Sequence, residues 1–78
     1  MMARYPITDQ IESLDRKSFR SLKEELKRTP GFYNIVVGGA ILTPTEILQI
    51  RRVLLKYHVL AKSNELRTAA VAVFGMAR

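Results

Sequence analysis

FYNIVVGGAILTPTE, residues 32–46, carries the fold decision, because it joins a stretch that reads as β to one that opens a helix. Over 32–42, β-branched and aromatic residues flank Gly38 and Gly39. That is the pattern of a two-residue hairpin, whose central positions both need positive φ. A single strand over 32–37, followed by a glycine-permitted bend, is the other reading of the same residues. The next four, Thr43-Pro44-Thr45-Glu46, form a capping box. The Thr43 hydroxyl accepts from the Glu46 amide, Glu46 reaches back to the Thr43 amide, and Pro44 takes the first helical position, where no donor is lost. The chain is therefore expected to be α+β, a small mainly helical domain: an N-terminal helix, a short β-hairpin or strand, then two helices.

Working toward the carboxyl end, a helix is expected over 44–61 with two apolar stripes. Ile47, Ile50, Val53, Leu54, Tyr57 and Ala61 share one side, and Leu48, Leu55 and Val59 lie roughly opposite. Arg51 with His58, and Arg52 with Lys56, fill the strips between them. A helix apolar on two sides must be covered on both. In 78 residues the second cover is expected from another copy, which makes the protein a homo-oligomer, a dimer in the simplest case; a helix sandwiched within one chain is the alternative. Ser63 or Asn64 would cap a last helix over 65–76, with Leu66, Ala69, Ala70, Val73 and Met76 inward and Val71 and Phe74 joining Leu48, Leu55 and Val59 at the subunit interface. The sequence AVAVF over 70–74 also reads as a strand pairing with 32–37. Alanine favours helix and valine favours strand, and helix is preferred.

Toward the amino end, Ser13 or Asp15 caps a helix that runs to about residue 28 and buries Phe19, Leu22 and Leu26, with Ile11 and Leu14 as extensions. Pro30 and Gly31 stop it. Residues 1–12 read as a flexible arm of the single domain, 1–78. On the opening helix Arg16, Arg20, Lys23 and Lys27 recur at spacings of four, three and four, which sets them in one narrow basic line beside the apolar stripe. Stacked like charges repel by a few tenths of a kcal/mol per pair, and an anionic surface would relieve them. A solvated face, partly neutralised by Glu24 and Glu25 through Arg20–Glu24 and Glu24–Arg28 pairs, is the plainer reading of the same line.

Thirteen Lys and Arg stand against seven Asp and Glu, a formal charge of +6, which favours polyanionic partners. The chain has no cysteine and one histidine, so disulfides and the usual structural zinc sites are excluded. A chain of this size hides only roughly 60% of the surface its unfolded form exposes, and oligomerisation is the reinforcement left. The amino terminus lacks the apolar segment of a secretory signal, and the longest apolar run, over 69–77, is far short of a membrane span of about 20 residues. A soluble cytoplasmic protein without membrane contact is expected.

Catalytic material is thin, and no enzyme or cofactor is expected. His58 stands among apolar helix residues with no cysteine to activate, and a structural role is the stronger reading. Asp9, Glu12 and Asp15 recur every three residues at a helix start, where the macrodipole accounts for them better than a cation does. The six aromatics are not interleaved with Lys and Arg as a base-stacking platform requires.

In element order alone, strand then two helices, residues 32 onward resemble ribbon-helix-helix DNA-binding dimers. The resemblance implies a phosphate at the helix start of Ser63 and Asn64, with Lys62 as its cation. The expected function is phosphate-directed nucleic-acid binding, DNA first, in a regulatory or accessory role. Arg16, Arg20, Lys23 and Lys27 form its primary patch, continued by Arg51, Arg52, Lys56, Lys62 and Arg67. A non-catalytic assembly subunit that docks helix 44–61 and the apolar carboxyl terminus onto a larger protein partner is the alternative.

Overall fold

The computed structural model describes residues 6–29, 31–32 and 42–75. They form α1 (Ile7–Glu12), α2 (Arg16–Lys27), α3 (Pro44–Lys56), a short 3-10 turn (Ser63–Glu65) and α4 (Leu66–Phe74). The chain is mainly helical, with no strand among the described residues, and this overturns the α+β expectation. Phe32, the first residue of the expected strand, has helical backbone. Its amide donates to the Thr29 carbonyl at 3.3 Å rather than across a ladder. Its ring is fully buried and tilted 49° against Phe74 at a centroid separation of 5.6 Å, so its bulk serves a helical core. The remainder of the expected strand and the Gly38-Gly39 turn lie outside the described residues. Residues 70–74 are helical, as preferred, and with Phe32 helical and no strand among the described residues the ribbon-helix-helix order finds no support.

Asp15, not Ser13, caps α2: its carboxylate accepts from the Ser18 amide at 2.7 Å. The Ser13 hydroxyl instead donates to the Gln10 carbonyl at 2.9 Å. Leu22 and Leu26 face inward and are completely buried, which turns the basic edge of α2 outward. Residues 7–12, read from sequence as part of a flexible arm, form α1. Ile7 and Ile11, four apart and so on one face, are buried where α1 packs on α4.

The start of α3 follows the capping box: Thr43 accepts from the Glu46 amide at 3.2 Å, and Glu46 accepts from the Thr43 amide at 2.9 Å. Its end does not follow the apolar pattern. The helix stops at Lys56, and His58 adopts φ 64°. The His58 amide donates to Leu55 at 2.8 Å and the Val59 amide to Leu54 at 2.9 Å, the paired bonds of a Schellman motif. This turn swings Val59 away from the second stripe and packs it inside, 1% exposed, among the same buried residues as Leu54.

The connection that follows is fastened at both edges. Gln10 on α1 donates to the Leu60 carbonyl at 3.1 Å and accepts from the Leu60 amide at 2.8 Å. Arg51 Nε donates to the Ala61 carbonyl at 2.9 Å. Glu65 accepts from the Lys62 amide at 2.7 Å, so the last helical segment is capped by Glu65 rather than by Ser63 or Asn64. Within α4, Ala69, Ala70 and Val73 are buried against α1 and α2.

Candidate nucleic-acid interface

Four of the nine expected contact residues converge. Arg16, Arg20, Lys23 and Lys27 line one open groove along α2, with Phe19 between them and Glu24 as the only carboxylate. Phe19 packs its inner side on the core. The arrangement follows from the local sequence: once Leu22 and Leu26 are inside, residues three and four apart on the neighbouring strip share an outer edge. Lys27 makes an exposed 3.5 Å pair with Glu24, whereas Arg16, Arg20 and Lys23 form no ion pair among the described residues. Lys17, one position off the line, lines a second shallow indentation with Arg16 and Arg20. Its spacing of three from Arg20 was the available sequence signal.

The other five cations stand elsewhere. Lys56 donates to Glu25 Oε2 at 2.6 Å, and the Tyr57 hydroxyl donates to Glu25 Oε1 at 3.1 Å, a bridge that ties α3 to α2. The Lys56 hydrogen bond holds the Glu25 carboxyl below its ordinary range, and the same bond raises the Lys56 ammonium. Burial first, then the bond to Glu25, pushes the Tyr57 phenol up. The Ser18 amide, the N-cap bond of α2, lowers Asp15. Lys56 is thus occupied structurally. Arg51 and Arg52 belong to a separate groove on α3, and Lys62 and Arg67 are exposed and line neither groove.

The expected interface residues also divide. Leu48 and Leu55 are exposed, 50% and 54%, as a second apolar face requires. Val59 is inside its own chain and cannot serve a partner; its place on that face is taken by Leu60, 54% exposed, which the helical projection of 44–61 could not reveal. Val71 and Phe74 are half-buried, Phe74 against Phe32. His58 is exposed at the end of α3, where its positive φ serves the turn.

No group of three or more His, Cys, Asp or Glu suited to a metal ion occurs among the described residues, and no described helix is long and apolar enough to cross a membrane. Neither a family model, nor a curated protein, nor a solved structure matches this chain.

Proposed function

We propose that this chain binds nucleic acid through phosphate contacts made by α2, in a non-catalytic regulatory or accessory role. One observation carries the proposal: Arg16, Arg20, Lys23 and Lys27 share one open groove, and three of them have no acidic partner among the described residues. Lys27 lies eleven positions after Arg16, about 16 Å along the helix axis. Cations strung over that length suit an extended polyanion better than a single phosphate, since a duplex presents a charge about every 1.7 Å of its axis. A surface helix with a basic edge also matches the width of the DNA major groove, whereas the A-form groove of duplex RNA is too narrow for it. The groove of α2 is complete within one chain, so binding of this kind needs no second copy.

Four phosphate contacts would give a slope of log affinity against log salt of about −3.6 on duplex DNA. The test is anisotropy of a labelled generic duplex across salt concentrations, for the wild type and for Arg20→Glu combined with Lys23→Glu. The expected slope of the variant is about −1.8, half the wild-type value, because two contacts are lost. Absence of binding at low salt, or an unchanged slope, overturns the proposal. Tighter binding to duplex RNA than to DNA overturns the choice of DNA.

A further inference from the structure

A second groove lies on α3 and the connection after it, lined by Leu48, Arg51, Arg52, Leu55 and Leu60 above buried Val59 and Ala61. It shares no residue with the groove of α2. Three half-exposed leucines flank two guanidinium groups, and no carboxylate lines it. Leu48 and Leu55 are two helical turns apart, about 10 Å, so they offer anchor points to a helix laid along them. The site is held in shape. The Gln10 amide fixes the Leu60 backbone from both sides, and the Arg51 side chain is pinned by its bond to the Ala61 carbonyl. A preorganised apolar surface loses little side-chain and loop freedom when a partner covers it.

We infer that this groove docks an acidic amphipathic helix of another protein, leucine-type side chains against Leu48, Leu55 and Leu60 and carboxylates against Arg51 and Arg52. Charge chooses the occupant. A second copy related by a two-fold axis would set Arg51 and Arg52 against themselves, between chains that each carry +6. An acidic helix satisfies the guanidinium groups bidentately while covering the leucines. The inference is independent of nucleic-acid binding by α2, and together they would make the chain an adaptor with one anionic ligand on each of two faces.

The probe is a labelled synthetic amphipathic helix with leucines spaced by three and four and glutamates beside them, paired with a control in which every glutamate is lysine. The wild type is expected to bind the glutamate form and not the lysine form. Leu55→Gln should weaken that binding by at least about tenfold, with unchanged melting and unchanged duplex affinity because Leu55 is exposed and lies outside the α2 groove. Leu48→Gln reports on the same surface if Leu55→Gln folds poorly. Arg52→Glu should weaken the glutamate peptide and gain affinity for the lysine peptide, which a merely greasy surface would not do. Equal binding of both peptides, or no effect of either leucine substitution, overturns the inference. So does a concentration-dependent dimer in sedimentation equilibrium that Leu55→Gln dissolves and the glutamate peptide does not.

Discussion

Replacing His58 with glycine should stabilise the protein, and the sign of that effect decides how α3 ends. His58 holds φ 64° at the first position past the helix cap. An L-residue in that region costs about 1–2 kcal/mol, which glycine avoids. Glycine also frees the unfolded chain, at a cost of about 0.5–1 kcal/mol. The balance is a gain of about 1 kcal/mol, equivalent to a rise in Tm of about 4–8 °C for a domain of this size. Were the helix to continue through residue 61, as its apolar pattern suggests, the same glycine would sit mid-helix and cost about 1 kcal/mol. Val59→Ala supplies the companion measurement. Two buried carbons lost from a fully packed site cost about 2 kcal/mol, against almost nothing at a half-exposed helical position. Thermal and urea unfolding followed by far-UV circular dichroism reads both. A lowered Tm for His58→Gly together with a neutral Val59→Ala would refute the Schellman turn and return Val59 to the surface.

Gly31→Ala should destabilise by about 1–3 kcal/mol, since φ is +83° there and an added Cβ would lie 2.9 Å from Leu42 Cδ2 and 3.0 Å from Glu46 Cδ, disturbing the cap of α3; a melt equal to wild type would contradict this, and chemical shifts at Thr43 and Glu46 should move with it. On the acid side, Asp15 and Glu25 both lie below their ordinary values of 3.8 and 4.5 in the fold. Their contribution is complete above about pH 5 and lost as pH falls through the folded values. Lys56 lies above its ordinary 10.5, so its contribution is complete below that and lost as pH rises through the folded value. Glu25→Gln should blunt the decline of Tm at both ends, because the two groups are partners; a variant whose losses at both ends match wild type would remove the Glu25 bridge from the account.

Where a local signal names its own partners, the sequence was legible. Thr43 and Glu46 exchange backbone bonds over three residues, so the start of α3 was readable without any long-range information, whereas the start of α2 was readable only to within the choice between Ser13 and Asp15, since both residue types cap helices. The basic edge of α2 was readable for the same reason, following from a helix and an inward stripe. The end of α3 was hidden because histidine, not glycine, occupies the left-handed position, and the apolar spacing runs on unbroken to Ala61. That one misplaced end put Val59 on the wrong face and concealed Leu60. Helix α1 escaped because six residues carry only two apolar markers, and what holds them is the surface of α4, sixty residues away along the chain. Phe32 carried a β-prone composition, yet its partner is Phe74, and propensity yields to a buried ring contact.

We propose that α2 presents its cations to a nucleic acid. Titration of isotope-labelled protein with a short DNA duplex at low salt, followed by backbone amide shifts, tests that surface. Shifts are expected over Arg16–Lys27 and reversed by added salt, with Leu48, Leu55 and Leu60 undisturbed. An unchanged spectrum, or shifts gathered on α3 and the following connection instead, would contradict it.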